Sequence, residues 1–290
     1  MQAKLERPQL KIDPGLRRLV KSTLIEDDYC TDITTRDFIQ NKKIGAVILA
    51  KGKGVLCGIS IAQLVFDIID RTIKFKAQFR DGDNISPGAH IVKITGRAET
   101  ILKAERTALN FLSHLSGIAT ATYKFVQKAS SRQIDILDTR KTLPGLRKLQ
   151  KYAVTVGGGQ NHRSSLSGFY LIKDNHLKLI SLKQLKEKIE KIRKSSTKII
   201  EVEVKTLSEF KNILPYAPDI IMLDNMHRSQ IKEAIRLRGA INPHVKLELS
   251  GGIDLDNINR VLIPGIDRIS LGALTHSAAA FDFSLEIKEF

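Results

Sequence analysis

The fold is indicated by the segment IDILDTRK (residues 134–141), in which a short apolar run ends in polar and charged residues. The chain repeats this arrangement in five later segments: FYLIKDNH (169–176), KIIEVEVK (198–205), IIMLDN (220–225), VKLELSGG (245–252) and RISLGALTH (268–276). Most of these segments are followed by residues with helical spacing. A strand, a polar loop and a helix, repeated, are typical of parallel βα units.

The position of the polar residues distinguishes the two folds that such units can build. They follow the carboxyl end of each predicted strand, and a TIM-like barrel collects its active site from loops at that face. A doubly wound sheet would concentrate them at one switch point, and the sequence has no GxGxxG fingerprint. We therefore expect an α/β protein with an incomplete TIM-like α/β barrel.

The first third of the chain has a different pattern. Helical spacing recurs in residues 14–24, 61–69 and 101–122, whereas residues 73–79 alternate with the period of a strand. Two apolar runs flank KGKG (51–54), which predicts a β-hairpin. These patterns favour a separate α+β domain with an antiparallel sheet.

The end of the chain adds a strand for which the barrel has no place. Residues 281–288 alternate between apolar and polar side chains, and we expect this strand to return to the antiparallel sheet. The predicted organisation is an N-terminal α+β domain, 1–115 completed by 279–290, and an α/β-barrel catalytic domain, 116–278. A chain of 290 residues is long enough for two such domains.

Composition excludes several classes of protein. No apolar run approaches the roughly 18 residues of a membrane span, and the first 15 residues lack the apolar core of a secretory signal. Cys30 and Cys57 are the two cysteines of the sequence, so a disulfide scaffold or a structural zinc site is not expected. We expect a cytoplasmic protein.

The charge indicates an anionic partner without identifying it. Lys and Arg number 47 against 31 Asp and Glu, a net charge of +16. Nucleic acid, membrane headgroups and a phosphorylated small molecule all fit this excess. The excess is densest in residues 183–198, where the spacing predicts an amphipathic helix with a solvated basic face.

Cations also gather at the predicted strand ends and loops: Arg140, Lys141, His162, Arg163 and Lys173. Each one alone would fit a surface charge. Together at the mouth of one barrel, they would repel each other unless an anion neutralised them. We therefore expect the mouth to bind a strongly anionic ligand.

Two glycine segments and three acids accompany these cations. Ser250-Gly251-Gly252, before a predicted helix at 255–262, and Gly272-Ala273-Leu274 follow the last two strands, where barrels commonly bind phosphate; both also fit tight turns. Glu201 and Glu203 share one face of a strand, and Asp224 ends the next strand. These acids could hold a ribose hydroxyl, coordinate Mg²⁺ or stabilise a positive carbon, or they could only pair with lysines.

Eight motifs, in order, resemble a known family: ERTALNFLSHLSGIAT (105–120), DTRKTLPGLRKLQKYAV (138–154), GGGQNHR (157–163), LIKDNH (171–176), EVEV (201–204), MLDNM (222–226), LSGGI (249–253) and LGALTHS (271–277). Together they closely resemble quinolinate phosphoribosyltransferase, the decarboxylating nicotinate-nucleotide pyrophosphorylase of NAD biosynthesis. The resemblance implies an open-faced N-terminal sheet joined to an incomplete barrel, in a homodimer with a shared active site. It also implies transfer of phosphoribosyl from phosphoribosyl pyrophosphate to quinolinate, which gives nicotinate mononucleotide, pyrophosphate and CO₂, with Mg²⁺.

The resemblance assigns roles by residue. The quinolinate pocket would contain Arg140, His162, Arg163 and Lys173, together with Arg106 from the partner subunit. Lys141, Glu203 and Asp224 would be catalytic and would engage phosphoribosyl pyrophosphate and its metal, directly or indirectly. The 5′-phosphate would be held by Ser250, Gly251, Gly252, Gly272, Ala273 and Leu274.

The chain departs from the family pattern at five positions. Tyr29 and Thr31 stand where glycine is usual, Glu99 where arginine is common, and Ser165 and Gly168 replace a glycine and an acidic residue. We expect activity to be retained, because the charged residues of the motifs survive. Two alternatives stay open: a paralogous phosphoribosyltransferase-like protein that acts on another base, and a basic nucleic-acid-binding protein on a retired enzyme scaffold.

Overall fold

The computed structural model describes residues 7–39 and 42–288. Within them the strands are β1 (Lys43–Ala50), β2 (Gly54–Val55), β3 (Lys74–Ala77), β4 (Asn84–Ile85), β5 (His90–Arg97), β6 (Asp135–Leu137), β7 (Tyr170–Ile172), β8 (Ile200–Val204), β9 (Ile220–Asp224), β10 (Lys246–Ser250), β11 (Arg268–Ser270) and β12 (Phe283–Lys288). The helices are α1 (Pro14–Glu26), α2 (Ile33–Phe38), α3 (Ile59–Ile69), α4 (Ala98–Ala129), α5 (Arg147–Val156), α6 (Asp174–Leu177), α7 (Leu182–Ser195), α8 (Leu207–Ile213), α9 (Arg228–Ile241) and α10 (Ala273–His276).

The chain forms two compact units. The first contains the described residues up to Tyr123, the segment Leu143–Gly158 and the described residues from Ser277. The second contains Lys124–Thr142 and Gly159–His276. Each unit is therefore assembled from more than one stretch of chain. The domain boundaries that the sequence predicts stay a prediction.

The first unit is built on an antiparallel sheet with the strand order β12-β1-β5-β3. The final strand pairs with β1 from Gly45 opposite Lys288 to Ala50 opposite Phe283. In α1, the Asp13 side chain caps the first turn by accepting a hydrogen bond from the Leu16 N–H, and the helix buries its apolar face. This unit thus has both the helices and the strands that the first third of the sequence predicts.

The hairpin predicted around KGKG is wrong. The strand β1 pairs with β12 and β5, whereas β2 pairs with β4 in a separate two-stranded sheet. Long-range bonds replace the expected pairing: the Lys51 N–H donates to the Asp282 carbonyl, and the Val55 N–H donates to the Thr120 hydroxyl at 2.9 Å. Gly54 is required here, because a Cβ at this position would lie 2.4 Å from Thr120 Oγ1.

The second unit is built on a parallel sheet with the order β6-β11-β10-β9-β8-β7. Its six strands coincide with the six segments that the sequence singled out, so the α/β prediction is confirmed. Within the described residues, β6 and β7 are the two edges of this sheet. The barrel is therefore incomplete, as expected. Since all six strands are parallel, their carboxyl ends lie at one edge.

Two helical predictions for the second unit have opposite outcomes. The amphipathic helix is present as α7, which begins after a capping box at Ser181 and buries Leu185 and Ile189 beneath exposed lysines. The helix predicted at 255–262 is wrong, since the structure has one short 3₁₀ turn there, Ile258–Arg260. The Asp254 carboxylate accepts hydrogen bonds from the N–H groups of the second and third residues after it, which favours a turn.

Across the described ranges, 7–39 and 42–288, no helix combines the length and the apolar character needed to cross a membrane.

Candidate active site

A cavity of about 500 Å³ lies in the second unit, at the carboxyl ends of its parallel strands. This size is typical of pockets for small ligands, about 300–1,000 Å³. Its walls are Thr139, Arg140, Lys141, His162, Arg163, Leu171, Lys173, Met222, Ser250, Gly251, Gly252, Ile253, Ser270, Leu271, Gly272, Ala273 and His276. Loops after β6, β7, β10 and β11 supply most of them, as expected for a barrel mouth.

The five cations predicted from the sequence, Arg140, Lys141, His162, Arg163 and Lys173, all line this cavity. Two elements bring them in: the strand ends, and the segment after Gln160, which forms a parallel bridge with Leu137. Burial, and after it the like charge of Arg140, lower the pKa of Arg163. A bound anion would relieve this repulsion.

Arg163 is fixed although it faces the cavity. Its Nη1 donates a hydrogen bond to the Phe169 carbonyl at 3.1 Å, and its guanidinium lies 5.8 Å from the centre of the Phe169 ring. Gly168 allows this approach, since a Cβ there would lie 3.1 Å from the Arg163 Cβ. The substituted loop is held by its own bonds, including a 3.0 Å contact between the hydroxyls of Ser165 and Ser167. The departures from the family pattern therefore leave the arginine in place.

The floor beneath the cations is acidic and buried. Glu201 and Glu248 both have no exposed side chain, and His162 Nε2 lies 3.0 Å from a Glu201 oxygen and 3.7 Å from a Glu248 oxygen. Burial raises the pKa of Glu201 to about 7. Burial and the charge of Glu201 raise the pKa of Glu248 to about 7. The Arg268 Nε lies 3.1 Å from the second Glu248 oxygen and supplies an opposite charge.

The two predicted catalytic acids lie outside the cavity wall. Glu203 is 8% exposed and accepts a hydrogen bond from Lys173 Nζ at 2.5 Å. Asp224 ends β9, opposite Ser250 in register, and is half-buried. Its carboxylate accepts no hydrogen bond within the part of the chain that the structure describes. Of these two acids, Asp224 therefore has the carboxylate that is more available to bind a ligand.

The glycine segments shape the opposite wall. Gly251 has φ +103°, and a Cβ there would lie 2.2 Å from Asn225 Oδ1, so only glycine fits. A Cβ at Gly272 would lie 3.0 Å from both His276 Nε2 and Lys141 Cδ. Backbone can thus approach a ligand closely at both segments. Leu274, the last of the predicted phosphate residues, is buried and does not line the cavity.

One predicted residue stands apart from this group. Arg106 lies on α4, in the first unit, and its side chain is exposed. It is not among the residues that line the cavity. Its expected role in the pocket of a partner subunit stays a prediction.

Sequence reasoning missed several residues of the site, among them three with titratable side chains: His276, Glu248 and Arg268. His276 lines the cavity, and its only signal was its place in LGALTHS, from which no role was drawn. Glu248 and Arg268 lie within their strands rather than at the carboxyl ends, where the sequence pattern indicated functional residues. Glu248 is nevertheless fully buried in the site.

Comparisons with known families agree with this geometry. The N-terminal domain model of quinolinate phosphoribosyl transferase matches residues 28–116, and the C-terminal domain model of the same family matches residues 118–286. The two models together cover most of the chain.

Individual relatives show the same likeness. The chain is 42% identical to a probable nicotinate-nucleotide pyrophosphorylase [carboxylating] of Methanocaldococcus jannaschii, over 94% of this chain and 97% of the relative. It is 37% identical to the corresponding protein of Mycobacterium leprae, over 93% and 96% of the two chains. Among solved structures, the nicotinate-nucleotide pyrophosphorylase from Francisella tularensis superposes with a TM-score of 0.89 at 36% identity, covering 98% of this chain and all of that one.

These matches extend over both units and over every motif that supplies a cavity residue. The chain belongs to the quinolinate phosphoribosyltransferase family.

Proposed function

We propose that this chain transfers phosphoribosyl from phosphoribosyl pyrophosphate to quinolinate, with decarboxylation, to give nicotinate mononucleotide, pyrophosphate and CO₂. The observation that carries the proposal is the convergence of five cations on one cavity of small-ligand size. Quinolinate is a dianion and the second substrate is polyanionic. A mouth of this charge binds both, and the family's proteins are named for this chemistry.

Quinolinate is held by Arg140, His162, Arg163 and Lys173. Arginine recognises a planar carboxylate through two parallel N–H bonds, whereas lysine acts as a point charge. Arg106 completes the pocket from the partner subunit of a homodimer. Its exposed position on α4 supports this assignment, because an exposed side chain can reach a second subunit.

Phosphoribosyl pyrophosphate binds on the other side of the cavity. The close backbone of Ser250, Gly251 and Gly252 and of Gly272 and Ala273 holds the 5′-phosphate through N–H groups. Lys141 lies against Gly272, with its Cδ within 3.0 Å of where a Cβ would be. The Lys141 ammonium stabilises the negative charge that develops on departing pyrophosphate.

The acids suit a magnesium ion that accompanies pyrophosphate. Mg²⁺ prefers carboxylate oxygens, and the available carboxylate of Asp224, with Glu203 on the neighbouring strand β8, fits this preference, directly or through water. When bound, Mg²⁺ would neutralise pyrophosphate charge. The carboxylates of Glu203 and Asp224 also stabilise the positive charge that develops at the ribose carbon during transfer.

Decarboxylation makes smaller demands on the protein. Loss of CO₂ leaves an electron pair on the ring carbon next to the cationic ring nitrogen, and the ring absorbs much of this charge. The cations that bind the two carboxylates therefore contribute chiefly by positioning the ring.

We also propose a cytoplasmic location. The structure shows both cysteines as free thiols, Cys30 exposed and Cys57 buried, and an exposed free thiol is typical of reducing compartments.

A turnover measurement tests the proposed function. The purified chain is mixed with quinolinate, phosphoribosyl pyrophosphate and Mg²⁺, and nicotinate mononucleotide, pyrophosphate and CO₂ are measured. We expect the three products in equal amounts, and we expect Lys141→Ala to abolish them. Turnover of another base instead would favour a paralogous activity. Salt-sensitive nucleic-acid binding that survives Lys141→Ala, without turnover, would favour the retired scaffold.

A further inference from the structure

The barrel interior directly beneath the cationic mouth carries two buried glutamates. Glu201 on β8 and Glu248 on β10 both have 0% exposure. Barrel interiors are usually filled by branched apolar side chains, and a buried carboxylate without partners is costly. Two such residues at one place therefore indicate a function other than packing.

Both glutamates face the same histidine. His162 Nε2 lies 3.0 Å from Glu201 Oε2 and 3.7 Å from Glu248 Oε1. In the described residues, Glu201 Oε1 accepts no hydrogen bond, whereas Glu248 has the Arg268 guanidinium as its charged partner at 3.1 Å. The fold therefore does not fully satisfy the Glu201 carboxylate, which an arrangement built for stability alone would do.

The other contacts of His162 fix its ring. Its backbone N–H donates to Asp138 Oδ1 at 2.9 Å, and its ring meets the Phe169 ring at 61° with the centres 4.9 Å apart. The side chain is only 6% exposed but lines the cavity. The imidazole therefore connects the substrate side of the barrel with the glutamate pair.

We propose that Glu201 and Glu248 are positioning residues for quinolinate binding, which orient the His162 ring at the cavity wall by attracting a proton-bearing Nε2. The inference rests on the proposed function, since quinolinate is the ligand that this ring contacts. A carboxylate beside a histidine fixes the orientation of the ring and selects the tautomer with a proton on the facing nitrogen. Two carboxylates within 3.7 Å strengthen both effects.

The same three residues also have the spacing of a metal site, because ligand atoms of His162, Glu201 and Glu248 lie within 4.8 Å of one another. The position of Arg268 makes metal binding unfavourable. Its Nε lies 3.1 Å from Glu248 Oε2, in register with Glu248 across β10 and β11. A fixed guanidinium there repels a cation and already supplies the positive charge.

The first experiment separates quinolinate binding from the rest of the reaction. Glu201→Gln and Glu248→Gln keep the shape of the side chain and remove its charge. We expect Glu201→Gln to raise KM for quinolinate by about tenfold or more, the effect of one charge-assisted hydrogen bond, and Glu248→Gln to raise it by less, since its oxygen lies 3.7 Å from His162 Nε2. In both variants KM for phosphoribosyl pyrophosphate and kcat should stay within about twofold. Glu190→Gln, on the exposed face of α7, is the matched control and should change neither KM.

A double-mutant cycle shows whether the glutamates act through the histidine. In a His162→Gln background, the further change Glu201→Gln should leave KM for quinolinate nearly unchanged, because its target is gone. Full additivity of the two effects would overturn the proposal. If Glu201→Gln does not fold, as judged by circular dichroism, the same cycle is run with Glu248→Gln.

A spectroscopic measurement works even if the chain does not turn over quinolinate. Nitrogen chemical shifts of ¹⁵N-histidine-labelled protein near neutral pH report the charge and tautomer of each ring, and His162→Gln identifies the signal. We expect a proton on Nε2 of His162 in the unsubstituted protein and a larger share of the Nδ1-protonated ring in Glu201→Gln. A neutral His162 with its proton on Nδ1 in the unsubstituted protein would overturn the inference. A proton on Nε2 without turnover would instead contradict only the proposed function.

Discussion

The cavity of the second unit and the exposed face of α7 are both rich in cations, but the surroundings of those cations differ. On α7, Lys186 and Glu190 form an ion pair at 3.9 Å, and both side chains are more than half exposed. At the cavity, Lys173 and Glu203 pair at 2.5 Å, and Glu203 is only 8% exposed. Water screens the first pair, which is worth roughly 0.3–0.5 kcal/mol. The second pair is screened less because its carboxylate is buried, although Lys173 is 45% exposed.

The comparison shows that the density of charge along the sequence is a poor guide to function. Residues 183–198 contain the densest run of cations, yet most of these cations lie on the solvated face of the amphipathic helix α7. The cavity cations are scattered from Arg140 to Lys173 and are brought together by the barrel. Substitutions at the two places should therefore have very different effects.

The largest expected effect is the loss of Lys141. Lys141→Ala should lower kcat/KM by at least about a thousandfold, about 4 kcal/mol, because it removes the charge beside the departing pyrophosphate. The control is Lys183→Ala, an exposed lysine of α7, which should stay within about twofold. Steady-state kinetics measures both variants. Similar losses of kcat/KM would show that the cavity lysine is no more important for turnover than an exposed lysine of α7.

Mixing inactive subunits tests whether the site is shared between two chains. Arg106→Ala and Lys141→Ala chains should each be nearly inactive. After subunit exchange in equal amounts, about a quarter of all sites should contain both native residues, as expected for random dimers with twofold symmetry. Activity that does not recover after proven exchange would place Arg106 outside the partner's site.

Glycine substitutions compare the backbone at the cavity with the backbone of an exposed part of a helix. Gly251→Ala places a methyl group 2.2 Å from Asn225 Oδ1 at φ +103°, so it should destabilise the fold by about 1–3 kcal/mol and raise KM for phosphoribosyl pyrophosphate. Gly239→Ala, in α9, meets no atom within 4 Å and should stabilise the fold by roughly 0.5–1 kcal/mol. Urea unfolding distinguishes the two signs; equal effects would show that the cavity glycine is not constrained.

Thr275 provides a smaller test of how Lys141 is held. Its hydroxyl donates to the Lys141 carbonyl at 2.7 Å and is 3.1 Å from the Gly272 carbonyl. Thr275→Val removes this link and should raise KM for phosphoribosyl pyrophosphate by about tenfold, as for one buried hydrogen bond. Thr275→Ser retains the hydroxyl and should restore most of the affinity. If valine and serine behave alike, the hydroxyl does not position Lys141.

The smallest effect is expected on α7 itself. Lys186→Gln removes one partner of an exposed ion pair and should change the free energy of unfolding by less than about 0.5 kcal/mol. Chemical denaturation at low and high salt measures it. A change above about 1 kcal/mol would mean that the basic face has a structural partner.

Much of the second unit could be predicted from the sequence, because each strand is marked by an apolar run that ends in polar residues. The cavity cations followed from the same rule, since parallel strands place their carboxyl ends together. The expected strand at 281–288 is also present, as β12. These features depend on local pattern and on the general geometry of sheets.

The errors arise where distant parts of the chain decide the outcome. The hairpin at KGKG failed because Lys51 and Val55 bond to Asp282 and Thr120, which no local pattern reveals. Glu248 was missed because a glutamate between two leucines is typical of a strand with one solvent-facing side. In the barrel, that side faces the buried interior. Such positions are visible only in three dimensions.

If the cationic cavity binds two acidic substrates, a crystal structure with pyridine-2,3-dicarboxylate will show one of them in place. We expect the ligand's two carboxylates within hydrogen-bond distance of Arg140, Arg163 and Lys173, with the ring beside His162. A cavity that stays empty at saturating ligand, or a ligand bound elsewhere while those side chains point into solvent, would contradict this expectation.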